Sequence, residues 1–357
     1  QLLLNRGGGI VSDTSKADQS AGGATIAIGL GGTGVDCLKN FKKEVYNRIK
    51  ADNHDSKEAS IPEYNHIKFL AIDTAADSIK SDKDDVSDDY AAIDSSEFLK
   101  ISVADITAAL SAHGQLNRNV NMKWLAHEPE GDKEPITIAD MKDGAGGIRQ
   151  AGRFAIIHRV NDIMNTISGL ISSVTQDHHD ELSIHIFAGI GGGTGSGSFL
   201  DICYIIKMIL EQMALSGSTT VCGYFFLPDV NLSKQEINNN RLLKEQIIRN
   251  GYAALKELDY CMNFESNGDQ WEQYYDGNRY TSNLAPVDLC HLISSKNIDG
   301  GHSRNAYQYA VNVVTDYALE FTADQGGKFG MKQHRSNVNG HVSQIKGENG
   351  ALHKYSI

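Results

Sequence analysis

Five glycines within seven residues, Gly191-Gly192-Gly193-Thr194-Gly195-Ser196-Gly197, constrain the fold more than any other stretch. The preceding run, Leu182-Ser183-Ile184-His185-Ile186-Phe187-Ala188-Gly189-Ile190, is apolar, β-branched and aromatic, and reads as a strand. The following run, Phe199 to Leu210, reads as a buried helix. A glycine turn between a strand and a helix N-terminus suits an anion. Backbone N–H groups converge there without Cβ interference, and the helix end adds partial positive charge. Thr194, Ser196 and Ser198 add hydroxyl donors. The bland alternative, a tight turn or flexible linker, fits less well, because linkers are not held between two strongly apolar elements.

The chain has 357 residues, enough for a sizeable core and roughly two domains. Its net charge of −12 argues against a nucleic-acid surface, which needs Lys and Arg to neutralise phosphates. No apolar run reaches the roughly 18 residues of a membrane span. Gln1-Leu2-Leu3-Leu4-Asn5-Arg6 lacks the features of a secretory signal. The five cysteines are scattered without a CxxC, which predicts free, buried thiols and a cytoplasmic location.

Residues 1–23 read as a mobile tail. A strand is predicted at Ala24 to Ile28, then a second glycine turn, Gly29-Leu30-Gly31-Gly32-Thr33-Gly34, then a helix from Val35 to Ile49. Another strand, His66 to Ile72, ends in Asp73-Thr74. The polar stretch 77–97 reads as a loop with short helices, and 98–140, with Trp124, as irregular or partly helical. A third glycine turn, Asp143-Gly144-Ala145-Gly146-Gly147, precedes one long helix, Ala151 to Val174. His178 and His179 read as a solvated loop, since adjacent residues share no face for a metal. His185 reads as a core histidine. After the central turn come a strand at Thr219 to Leu227, a helix from Lys234 to Met262 and a loop over 265–283. A strand at Val287 to Ile293 closes at Lys296-Asn297, and a helix runs from Ser303, a plausible N-cap, to Thr322. His353 to Ile357 reads as the start of a strand. Strands alternating with helices predict an α/β fold with a doubly wound parallel sheet, whose ligands sit at the carboxyl ends of the strands.

Two readings of the glycine turns compete. Gly29, Gly31 and Gly34 satisfy GxGxxG between a strand and a helix, as in a dinucleotide-binding oxidoreductase. But Asp73 lies 39 residues after Gly34, where that fold places its ribose acid at about 20. That reading also leaves the other two turns without a role.

The other reading is a resemblance. Gly191 to Gly197 reads GGGTGSG, which resembles the signature loop of the tubulin/FtsZ superfamily, and the resemblance extends from about residue 24 to 323. It implies a Rossmann-like GTPase domain. In that family the signature loop wraps the α- and β-phosphates of GTP, which assigns Gly191, Gly192, Gly193, Thr194, Gly195, Ser196 and Gly197 to them. Gly31, Gly32, Thr33 and Gly34 resemble the first family loop, at the phosphates and Mg²⁺. Asp73 and Thr74 resemble the second, which makes Asp73 the candidate Mg²⁺ ligand. Ala145, Gly146 and Gly147 with Arg153 match the FtsZ-type loop that senses the γ-phosphate. Asn297 matches the asparagine that binds the nucleoside. The helix from Ser303 resembles the central family helix, with Asn305 and either Tyr307 or Tyr309 at the base. The loop after Leu227 departs from the family pattern, and Asp229 and Arg241 stand there as imperfect substitutes for the ribose contact. The run Gly251 to Leu258 is similar to the divergent bacterial tubulin-like proteins.

The resemblance implies a GTP/GDP-binding cytoskeletal protein with Mg²⁺, self-associating head to tail into filaments that complete the GTPase site. The chain has no P-loop lysine, and backbone amides and hydroxyls take over that work. The family's intersubunit catalytic loop, Asn-x-Asp, has its nearest match at Asn337-Val338-Asn339. There Asn339 holds an amide in place of the carboxylate, and an amide cannot act as a base. A non-polymerising nucleotide-dependent scaffold or switch is the alternative. The expected organisation is a GTPase domain over 24–300, a connecting helix over 301–325, and a linker with the possible start of a second domain over 326–357.

Overall fold

A computed structural model describes residues 24–52, 66–79, 92–105, 108–109, 120–122, 144–176, 181–234, 237, 239–296, 305–319 and 355–356. The expectations for Trp124, His178, His179, Asn297, Ser303 and Asn339 fall outside these residues, as does the N-terminal stretch 1–23.

The core is a parallel sheet of seven strands: β1 (Ala24–Leu30), β2 (Ile67–Asp73), β3 (Phe98–Lys100), β4 (Leu182–Gly189), β5 (Thr219–Phe226), β8 (Leu289–Ile293) and β9 (Tyr355–Ser356). Their order across the sheet is β3-β2-β1-β4-β5-β8-β9. β1 is an inner strand, with Ala27 opposite Phe69 of β2 on one side and His185 of β4 on the other. Every residue of β1, β4 and β5 is buried, as expected of a sheet covered on both faces.

Alternate strand residues feed two apolar layers. Ile26, Ile28, Ile184, Ile186 and Phe225 pack under α2 (Arg149–His158), α3 (Val160–Thr175), α4 (Thr194–Gln212) and α6 (Arg241–Met262). Ala27, Phe69, Phe187 and Tyr224 pack under α1 (Gly31–Asp52) and α8 (Ala306–Leu319). The short helices α5 (Pro228–Leu232) and α7 (Phe264–Asn267) flank α6. The described residues contain no helix long and apolar enough to cross a membrane. All five cysteines are buried, and none is in a disulfide.

Several segments differ from the sequence expectation, among them β3, a strand in a stretch read as irregular or partly helical. The single helix over 151–174 is two, broken at Arg159, whose φ/ψ of −108/22 leaves the helical region. Of the helix expected from Lys234, α6 takes the part from Arg241, where the Asn240 side chain caps it by accepting from the Leu243 N–H at 3.2 Å. The stretch read as a loop over 265–283 holds a two-stranded hairpin, β6 (Trp271–Tyr275) and β7 (Asn278–Ser282), turned by Asp276-Gly277 with φ of 50° and 77°. Two positive φ values in a row are what an Asp-Gly hairpin turn requires.

Candidate functional site

The strand order reverses between β2 and β4, on either side of β1, so the crevice of a doubly wound sheet opens at the carboxyl ends of these three strands. A cavity of about 300 Å³ lies there. Its walls come from four separate chain segments: Leu30 to Thr33, Asp73 to Ala75 with Ser78, the third glycine turn with Gly144, Ala145 and Gly147, and Gly189 with Gly192 to Gly195.

The N-termini of α1 and α4 both line this cavity, through Gly31–Thr33 and Thr194–Gly195. Each contributes unpaired N–H groups and the positive end of its dipole. Among the described residues, no lysine or arginine lines the cavity. The chemistry on offer is therefore neutral donors around a space for an anion, with one carboxylate beside it.

That carboxylate is Asp73, 3% exposed. Burial pushes its pKa up, opposed by the Thr74 N–H, which donates to Oδ1 at 2.7 Å, and by the Ser78 and Thr194 hydroxyls. Thr74 Oγ1 stands 2.7 Å from Thr194 Oγ1 and joins the end of β2 to the start of α4. A hard cation suits this donor set. Mg²⁺ is commonly held by one or two carboxylates together with phosphate oxygens and water. The described residues contain no cluster of three or more His, Cys, Asp or Glu that would hold a metal unaided.

The turns meet with almost no spare room. Gly31, at φ +65°, would place a Cβ 2.7 Å from the Gly195 nitrogen. A Cβ on Gly193 would stand 2.9 Å from both Ala145 Cβ and Ile148 N, so the third turn sits directly on the central loop. Gly192 is different: a Cβ there meets nothing within 4 Å.

A family model described as "Tubulin like" matches residues 26–356. The chain belongs to this tubulin-like family. No curated protein matches it. Among solved structures, it is similar to CetZ from Methanosaeta thermophila at 12% identity and TM-score 0.46, over 89% of this chain and 59% of that one. CetZ1 from Haloferax volcanii, a GDP-bound monomer, aligns at 12% identity and TM-score 0.42, over 88% of this chain and 63% of that one. An empty FtsZ dimer from M. jannaschii aligns at 16% identity and TM-score 0.42, over 86% and 57%. The tubulin-like chain thus spans about three fifths of the length of these structures.

Several expected site residues of this tubulin-like chain lie elsewhere. Arg153 does not face the cavity. Its Nε donates to Asp201 Oδ2 at 2.8 Å and its guanidinium lies 5.7 Å from the Trp271 ring centroid. Ser196 is turned away with it, because successive helix residues rotate by about 100°. Ser196 Oγ accepts from Arg149 Nε at 2.8 Å. Gly197 is a packing residue: a Cβ there would be 2.1 Å from the Arg149 carbonyl oxygen. Gly34 packs likewise against Phe187 O, at 2.2 Å, and Gly191 against Ile247. Gly146, at φ +57°, shapes the third turn without lining the cavity.

Asp229 is committed to the neighbouring strand end. Its Oδ2 accepts from Ser294 Oγ at 2.7 Å, Ser295 N at 2.8 Å and Ser295 Oγ at 2.9 Å. Asn305, at φ 55°, is exposed, and its carbonyl accepts from the Tyr309 N–H at 3.0 Å where α8 begins. Tyr307 stands nearer the cavity rim. Its hydroxyl donates to Asp36 Oδ2 at 2.6 Å, and Lys234 Nζ sits 3.6 Å from its ring centroid. Burial and Asp36 push the Tyr307 pKa up, and a hydrogen bond to Thr33 opposes them. Tyr309 is 58% exposed.

Three residues with no signal in the sequence reading support the site. Asn231 Nδ2 donates to Thr33 Oγ1 at 3.0 Å. Arg149 joins Ser196 to Glu257, donating to Glu257 Oε1 through Nη1 at 2.9 Å. Asn250 donates to three loop carbonyls. Each acts across elements distant in sequence, which no local pattern reveals.

Proposed function

We propose that this tubulin-like chain binds GTP or GDP with Mg²⁺, and that it hydrolyses GTP slowly on its own and faster in head-to-tail assemblies. One observation carries the binding reading. Three glycine turns and Asp73-Thr74, far apart in sequence, line one cavity at the strand carboxyl ends with two helix N-termini aimed into it. Gly192, Gly193, Thr194 and Gly195 would take the α- and β-phosphates, Ala145 and Gly147 the terminal phosphate, and Asp73 the cation. The cation would neutralise phosphate charge that no basic side chain among the described lining residues meets. The preference for guanine rests on family membership and on the sequence resemblance. We read residues 24–300 as the nucleotide-binding unit and α8 as the helix that leads out of it.

Calorimetric titration of GTP, with and without Mg²⁺ and against ATP as competitor, tests this reading. Gly192→Val is the informative variant, because its side chain enters open space within the cavity and leaves packing intact. Gly193→Val would disturb the fold as well, through the contact with Ala145. The expected outcome is GTP binding that Gly192→Val weakens by about tenfold or more, the worth of one or two charge-assisted hydrogen bonds, with an unchanged melting temperature. Asp73→Asn should remove the Mg²⁺ dependence. Equal affinity for ATP would refute guanine selectivity, and absence of any nucleotide binding would refute the whole reading.

A further inference from the structure

Asn250 lies in the middle of α6, where asparagine is a poor helix former. Its Nδ2 stands 2.7 Å from the Gly147 carbonyl oxygen, 3.0 Å from that of Gly191 and 3.2 Å from that of Gly192. One amide group thus holds carbonyls from two loops whose glycines line the cavity. We propose that Asn250 is a positioning residue that aims the phosphate-binding amides of the central loop and locks the third glycine turn to it. The proposal rests on the nucleotide reading above and assigns that site a part which neither the family match nor the motifs supply.

The argument is one of peptide geometry. A trans peptide is planar, with its N–H antiparallel to its C=O. Where the Gly191 and Gly192 carbonyls point at Asn250, the N–H groups of Gly192 and Gly193 point the opposite way. Gly192 and Gly193 line the cavity, so the groups turned away from α6 are the donors that an anion there would use. In the third turn the Ile148 N–H closes onto the Ala145 carbonyl at 2.9 Å, and Asn250 holds that turn by its Gly147 carbonyl. Two loops that would contact different phosphates of one ligand therefore share a single clamp.

The surrounding sequence sets Asn250 in place. A Cβ on Gly251 would lie 1.9 Å from Pro228 Cγ, so α6 packs directly against the start of α5. On the same face, Ile247 Cγ2 would be 2.8 Å from a Cβ on Gly191, and the Gln246 amide nitrogen 3.1 Å from one on Gly147. Residues one turn apart on α6 thus fit the two loops from above.

The test compares wild type with Asn250→Ala and Asn250→Asp, which removes the donors at constant volume. Hydrogen exchange is measured first on nucleotide-free protein. Exchange should rise together in segments 144–148 and 190–195 while β4 stays protected. GTP, GDP and guanosine affinities are then measured, the last by ligand-observed NMR. Both variants should weaken GTP and GDP by about tenfold or more and guanosine by less than about twofold, since guanosine carries no phosphate for the amides to hold. Proportional loss for all three ligands, or GTP affinity unchanged, overturns the proposal. A wild-type protein that binds no GTP overturns the nucleotide reading instead, and the exchange measurement then decides on its own whether Asn250 clamps the two loops.

Discussion

His185 sits in the middle of the central strand β4, fully buried, with Nδ1 3.1 Å from the Tyr224 hydroxyl. Its ring lies between Phe41 and Tyr224, with centroids 6.1 and 5.8 Å away. Burial lowers its pKa from 6.5 to about 3, helped by His291, so the folded protein keeps it neutral where an unfolded chain would protonate it. Between these two values the unfolded state binds more protons, and stability falls as the pH falls from 6.5 toward 3. The slope from this residue is at most about 1.4 kcal/mol per pH unit. Urea unfolding at pH 7, 6 and 5 should show that loss, and His185→Phe should flatten it. The variant also strips Tyr224 of a partner, so the slope and not the absolute stability is the readout. An identical slope in the variant would place the acid sensitivity elsewhere.

At the scale of elements, the hairpin β6–β7 is joined to α2 and α4 through one buried acid. Asp201 accepts from Arg153 and, through Oδ1, from the Tyr275 hydroxyl at 3.0 Å, and its side chain is 2% exposed. Arg153→Met would leave that carboxylate buried without its cation, at a cost of roughly 3 kcal/mol. Thermal melting should show the loss while GTP affinity stays unchanged, because Arg153 does not line the cavity. A large fall in GTP affinity at equal stability would return Arg153 to the phosphate site that its sequence context suggests. Arg153 also shows where the sequence was legible and where it was not. The order of strands and helices could be read because apolar runs and glycine turns are local signals. Which side of a helix a residue faces could not: Thr194 and Gly195 line the cavity, whereas Ser196 and Gly197, next in the same motif, face α2. The hairpin had a usable signal in Asp276-Gly277 between alternating buried and exposed residues, but its Gly, Asn and Tyr content read as loop. The helix break at Arg159 has neither glycine nor proline to announce it. Asn250 acts only because Gly251 lets α6 close on Pro228, a tertiary fact with no pattern along the chain.

At the scale of the whole molecule, the proposed faster hydrolysis in head-to-tail assemblies requires contact between copies. A heterologous contact of that kind propagates into filaments. GTPase rate per molecule should therefore rise with protein concentration, in step with light scattering. A high rate that is flat on dilution would show a self-contained site. The sheet order has a further consequence, for synthesis. β1 is an inner strand, yet one neighbour, β4, is far along the chain: the Thr25 and Ser183 hydroxyls, 3.1 Å apart, are separated by 158 residues. A ribosome adding about 5–20 residues per second needs on the order of ten seconds or more to deliver β4 after β1. Throughout that interval β1 and β2 have one open, apolar edge of the kind that templates aggregation. Nascent chains of this protein thus pass through a long vulnerable window, whose length is fixed by topology alone and which a chaperone that shields hydrophobic strands would be suited to cover.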